Sequence, residues 1–121
     1  MTRKITRKGL VRKLDKVVFE LVKQRDRVCI TCGARNNPTS SHLFSRKAYS
    51  TRWDLMNVYL QCWPENFKHT AHDPYPLTRY FIGKFGKRKY DELHRRFVTP
   101  RKFKDFELEE LHEELTKQLN D

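Results

Sequence analysis

Cys29 and Cys32 stand two residues apart, with Gly33 directly behind them. That spacing lets two thiolates reach one tetrahedral ion, and Gly33 permits the tight turn between them. A zinc knuckle would add stability that a small charged chain needs. The pair also reads as two small buried residues or as a redox couple, although no βαβ pattern surrounds it. Further along come His42, Asn57, Cys62 and Asn66, in that order. His42 is the candidate general base: an imidazole can take a proton from a water that then attacks phosphorus. A divalent cation between His42 and a facing helix would contact the scissile phosphate and stabilise its charge. Asn57 would hydrogen-bond across a loop, fixing the loop's shape or the His42 ring. Arg46, Lys47 and Arg52 would hold the phosphates on either side. Each residue has a plainer reading. A lone histidine beside an aromatic is usually structural, Asn57 suits a turn, and Asn66 can simply cap a helix.

The elements that must position these side chains follow from periodicity. Leu10, Leu14, Val17, Val18, Leu21 and Val22 make one helical stripe, predicting a helix over residues 10–24 behind a basic arm at 1–9. Its other face carries Arg12, Lys13, Lys16 and Lys23. Periodicity is lost over residues 25–39, where the cysteine pair and Asn36-Asn37-Pro38 read as a knuckle and a loop. Residues 41–45 and 58–61 are extended candidates that can pair as an antiparallel hairpin around a long loop, with Cys62 ending the second strand. Pro64 suits the first turn of a short helix over residues 64–72. Pro76 opens another helix, with Leu77, Tyr80, Phe81 and Phe85 on one face, and Gly86 stops it. Helical spacing resumes over residues 87–97 and again over 105–119, where Asp105 is the candidate N-cap and acidic residues crowd the first turns. The expected fold class is therefore small α+β: a ββα-metal finger with a zinc knuckle, embedded in several helices. Residues 10–97 form its main domain, and residues 98–121 are a linker with an acidic helix.

Composition bounds the partner. The chain has 121 residues, with 26 Lys and Arg against 15 Asp and Glu, a formal net charge of +11. That excess favours a polyanion, nucleic acid ahead of an anionic membrane. No apolar run is long enough to span a bilayer, and no apolar stretch follows the basic N-terminus as a secretory signal would require. Three cysteines without an export signal argue against a disulfide scaffold. Lys84, Lys87, Arg88 and Lys89 read as a phosphate-contacting patch or as a solvated face, and the same two readings apply to His94, Arg95 and Arg96. Tyr49, Trp53 and Tyr59 read as base-stacking rings or, for the last two, as core. The acidic last helix is not expected to touch DNA; it packs on the first helix or forms a dimer seam.

The run from Ser41-His42-Leu43-Phe44-Ser45-Arg46 through Thr51-Arg52-Trp53 to Asn57-Val58-Tyr59-Leu60-Gln61-Cys62 resembles the NinG/Rap family of phage recombination proteins. That family is similar in turn to HNH, or His-Me finger, nucleases with a ββα-metal core. Tyr80 to Gly86 and Tyr90-Asp91-Glu92-Leu93 fit its later segment, so the likeness spans about residues 27–97. The resemblance implies His42 as general base, Asn57 as the central Asn, and Asn66 as the helix-borne metal ligand, as in phage endonuclease VII. It implies Cys29, Cys32 and Cys62 as three of four structural zinc ligands. The chain departs from the family twice. Glu65 stands where a fourth Cys is expected, leaving Glu65 or His69 as the fourth ligand, or a degenerate site. Ser41 stands where many HNH nucleases carry an acidic metal ligand, leaving Asn66 with His69 or His72 to hold Mg²⁺ or Mn²⁺.

The expected function is thus a metal-dependent DNA endonuclease hydrolysing phosphodiester bonds, with structural zinc and catalytic Mg²⁺ or Mn²⁺. The resemblance implies branched recombination intermediates such as Holliday junctions as substrates, and the cytoplasm of a bacterial host as the setting. Paired cuts would profit from a homodimer. Two other readings stand beside it: a catalytically inactive zinc-containing DNA-binding module, and a structured-RNA-binding protein.

Overall fold

The computed structural model describes residues 5–120. The first four residues of the expected basic arm, and Asp121, lie outside the described residues. Helix α1 spans Arg7–Asp26, three residues earlier than the apolar stripe begins. The Thr6 hydroxyl sets that start by accepting from the Gly9 N–H at 3.0 Å. Leu10, Leu14, Val17, Val18 and Val22 are its buried face.

Strand β1 (Pro38–His42) pairs antiparallel with β2 (Val58–Cys62), His42 opposite Val58 and Pro38 opposite Cys62. The sheet therefore begins three residues before the expected first strand and ends at His42. The chain leaves the ladder there because Leu43 and Phe44 turn aside. Leu43 is buried in an apolar cluster with Tyr59, Leu77, Phe81 and Leu93. Phe44 stacks on Phe97 at 5.0 Å between ring centroids. The loop that follows holds one short helix, α2 (Tyr49–Arg52), which no periodicity announced.

Every residue of β2 is buried, because helices cover both faces of it. Val58 and Leu60 join the α1 stripe, while Tyr59 points the other way into the second cluster. Helix α3 (Trp63–Ala71) follows β2 without a break, with Pro64 in its first turn. Helices α4 (Tyr75–Phe85) and α5 (Lys87–Val98) meet at Gly86, whose φ of 91° suits a residue without a Cβ.

Helix α6 (Asp105–Asn120) lays Leu108 and Leu115 on the α1 stripe. The cap differs from the expected Asp105. Glu107 reaches back and accepts from the Lys104 N–H at 2.9 Å, the reciprocal half of a capping box. The α1–α6 seam lies within one chain, and burial of each of its leucines contributes about 2 kcal/mol. The observed architecture is a small α+β fold: a two-stranded sheet flanked by helices, with the cysteines at one end of it. No helix among the described residues is long and apolar enough to cross a membrane.

Candidate metal centre and nucleic-acid interface

The sulfurs of Cys29, Cys32 and Cys62 all lie within 4.8 Å of one another, and Cys32 Sγ is 3.6 Å from Cys62 Sγ. A tetrahedron with Zn–S bonds near 2.3 Å has sulfurs about 3.8 Å apart, so the three thiols fit one zinc ion. The knuckle is closed by the Gly33 N–H donating to the Cys29 carbonyl at 2.8 Å, with Gly33 at φ 80°. Cys62 is the N-cap residue of α3, so the cluster sits at the start of that helix. Burial would raise the Cys29 thiol. The Thr31 hydroxyl and the N–H groups of Cys62, Thr31 and Cys32 outweigh it and bring the pKa down to about 7. At Cys32 the Ala34 N–H pulls down, but the neighbouring sulfurs push the thiol up to about 11. Three crowded thiols resist losing every proton until a cation shares the charge. Bound there, zinc would tie the knuckle to the end of β2 and the start of α3.

Neither proposed fourth ligand joins the sulfurs. The Glu65 carboxylate accepts from the Thr31 hydroxyl at 2.8 Å, and that hydroxyl lies 3.4 Å from Cys29 Sγ. Glu65 is thus one hydrogen bond removed from the cluster, on its margin. His69 faces elsewhere: its Nε2 lies 3.0 Å from the His42 carbonyl and 3.2 Å from that of Leu43. Residues four apart share a helix face, so the split comes from their partners: Thr31 of the knuckle holds Glu65, and the backbone carbonyls at the end of β1 hold His69.

On that other side, His42, Asn66 and His69 line a cleft of about 690 Å³ together with Arg46, Lys47 and His72. His42 Nε2 is 2.9 Å from the Arg52 carbonyl oxygen. A carbonyl only accepts, so Nε2 carries the proton and Nδ1 keeps its lone pair. Burial is the main cause that pushes the His42 pKa down to about 4, aided by the Arg46 charge and opposed by the Arg52 carbonyl. The ring is therefore neutral at neutral pH. By the same logic His69 donates through Nε2, and its Nδ1 is buried with no partner.

Asn66 binds β1 rather than standing free. Its Oδ1 accepts from the Ser41 hydroxyl at 2.9 Å, and its Nδ2 donates to Thr39 Oγ1 at 3.0 Å and the Ser40 carbonyl at 3.2 Å. Among the described residues no carboxylate lines the cleft. Three imidazoles (His42, His69 and His72) and an already engaged amide oxygen are a poor match for Mg²⁺ or Mn²⁺, which prefer carboxylate oxygens. The expected catalytic ion therefore has no fitting donor set here.

Two expected site residues are scaffolding by placement. Asn57 is fully buried. Its Oδ1 accepts from the Phe44 N–H at 2.9 Å, and its Nδ2 donates to the Phe44 and Thr51 carbonyls at 3.0 and 3.1 Å. It pins the loop and leaves the His42 ring to Arg52. The Arg52 guanidinium turns away from the cleft and grips Asp15 of α1 at 3.0 and 2.7 Å. Asp15 also accepts from the Trp53 indole at 2.9 Å and pairs with Arg46 at 3.3 Å. Sequence reading missed Asp15; a lone acid among Arg12, Lys13 and Lys16 was the available signal. It also missed the end of α1, where Asp26 accepts from the Leu60 N–H and Arg25 donates to the Leu55 and Val58 carbonyls.

Lys84, Lys87, Arg88 and Lys89 are all exposed, and none lines the His42 cleft. Lys84 borders a second groove with Thr31 and Tyr80. Lys87 and Lys89 pair with Asp91 and Glu92 on their own helix. Trp53 and Tyr59 are buried as core.

Compared with protein-family models, curated proteins and solved structures, the chain matches none of them. What the fold and site define is a class: a small α+β domain of the ββα-metal type, with a three-cysteine cluster able to hold a metal beside its sheet.

Proposed function

We propose that this protein is a zinc-stapled DNA-binding module built on a ββα-metal finger. The observation that carries the reading is the three-thiol cluster at the junction of β2 and α3. It lies in a chain of net charge +11 whose His42 cleft is lined by Arg46 and Lys47 and, among the described residues, by no carboxylate. The first turn of α5 supports it: Lys87, Arg88 and Lys89 stand where the helix dipole disfavours positive charge, with no acid in that turn. Asp91 and Glu92 one turn on offset part of that charge, and all three cations stay exposed to meet a polyanion. The resemblance to NinG/Rap proteins adds branched recombination intermediates as the preferred form of DNA.

A second reading, phosphodiester hydrolysis, is favoured by one observation: the Nδ1 lone pair of a neutral His42 in the cleft. In that reading Nδ1 takes a proton from a water. The resulting hydroxide attacks phosphorus, and the phosphate oxygens are held by Arg46 and Lys47. The leaving oxygen departs on the opposite side and takes a proton from solvent. Asn57 and Arg52 act here only by holding the loop and the ring.

One panel tests both readings. Labelled duplex, forked and four-way DNAs, with structured RNA as competitor, are titrated with protein over a range of salt. Binding to DNA that weakens steeply with salt is expected; absence of binding at low salt sinks the module. Incubation of the same DNAs with Mg²⁺, Mn²⁺ or chelator, with His42→Ala alongside, decides hydrolysis. Nicking that His42→Ala abolishes supports the base, whereas equal nicking by both proteins removes it.

A further inference from the structure

Beside the cleft, α3 turns two large aromatic side chains outward. Trp63 is 58% exposed and Phe67 is 50% exposed. They lie one helical turn apart, and their rings stack with centroids 5.4 Å apart and planes 15° apart. The His72 ring meets Phe67 edge-on at 5.4 Å and braces the pair. Trp63 also walls a groove of about 510 Å³ with Pro38, Thr39 and Pro64. Neither the core nor the candidate metal centre uses these rings.

We propose that Trp63 and Phe67 are a stacking platform for unpaired bases of single-stranded DNA. The inference rests on the DNA-binding reading and deepens it, by naming unpaired nucleotides as what this face recognises. Two parallel rings present a flat outer face on which a base can continue the stack, and such stacking tolerates any base. Charge agrees with the occupant. Among the described residues neither the Trp63 groove nor the cleft is lined by a carboxylate; Arg46 and Lys47 line the cleft, and Lys68 is exposed on the same helix as the rings. The nearby acids are engaged: Glu65 accepts from Thr31, and Asp73 accepts from the Tyr75 N–H at 3.0 Å. A second copy of the chain is a poorer fit. Two rings offer far less than the roughly 1,200 Å² or more that a stable interface buries.

The two tryptophans make the test direct, because Trp53 is only 4% exposed and Trp63 is the accessible fluorophore. Wild type, Trp63→Phe and the double variant Trp63→Ala/Phe67→Ala are titrated with a single strand, the duplex of the same sequence, and a fork. Single strand and fork should quench wild-type emission, duplex should quench it little, and Trp63→Phe should lose the quench while keeping most affinity. The double variant should lose roughly ten-fold or more in affinity for the single strand and fork, and less than about two-fold for the duplex. Equal losses on single strand and duplex, or none, overturn the platform while leaving DNA binding intact. A wild type that binds no DNA at all overturns both. Self-association that disappears in the double variant assigns the face to a second copy instead. Both side chains are exposed, so these substitutions leave the core as it is, and unchanged circular dichroism checks that.

Discussion

Asn57 holds three backbone groups of the long loop with one side chain: the Phe44 N–H, the Phe44 carbonyl and the Thr51 carbonyl. The side chain is closed off from solvent. Replacing it by Ala leaves those groups buried and unpaired, so Asn57→Ala should cost about 3 kcal/mol, read as a lower urea midpoint at unchanged slope. His42 makes a second residue-scale prediction. Its folded pKa is about 4, well below the ordinary value of 6.5. As pH falls, the unfolded chain takes up the proton first. The stability of the neutral buried ring is therefore complete above about pH 6.5 and declines until about pH 4. The loss over that window should be roughly 3 kcal/mol, and His42→Gln should flatten it; a variant curve as steep as wild type would assign the acid lability elsewhere.

At the scale of elements, α1 and α3 do the positioning. Helix α1 supplies the leucine and valine stripe, but it also supplies Asp15 and Asp26. Asp15 fixes the loop that carries Arg46 and the Arg52 carbonyl, and Asp26 caps the Leu60 N–H of β2. Burial opposes ionisation of Asp15, yet hydrogen bonds from Arg52 and Trp53 win and hold its carboxyl below the usual range. Helix α3, capped by Cys62 of the knuckle, divides its faces between three tasks: Glu65 toward the knuckle, Asn66 and His69 toward β1, Trp63 and Phe67 outward. The knuckle is the junction between the first half and α3, so zinc should act as a staple there. Metal analysis should find about one zinc per chain, and stripping it with chelator should lower the melting temperature, as should Cys62→Ser. A chain that melts at the same temperature with and without chelator would contradict the staple.

On the scale of the whole molecule, charge is segregated. Helix α6 carries Asp105, Glu107, Glu109, Glu110, Glu113 and Glu114 against a single Lys117, and it packs on α1. The positive excess therefore concentrates on the rest of the surface. Reversing Lys87, Arg88 and Lys89 to Glu should weaken binding to every DNA form alike. It should also flatten the plot of log affinity against log salt, by up to about 0.9 for each phosphate that the variant no longer neutralises. A variant with unchanged salt dependence would leave the α5 turn without a role in binding.

The amino-acid order alone determined the five longer helices, because an apolar stripe or a Gly or Pro is a local signal; the short α2 carries neither. It also determined that Cys29, Cys32 and Gly33 form a turn, since their spacing needs no partner. The sheet's partners were legible, but its register was not: Leu43 and Phe44 look extended, and only the cluster around Tyr59 and Phe81 draws them off the ladder. Tertiary structure alone decided which charges are free. Arg52 reads as a phosphate ligand until Asp15, remote in the chain, is brought against it. Only tertiary structure sent Glu65 and His69 to different sites and set Trp63 and Phe67 outward, because burial depends on what packs over a side chain. Local order fixes conformation at short range, but exposure, pairing and protonation belong to contacts made across the whole chain.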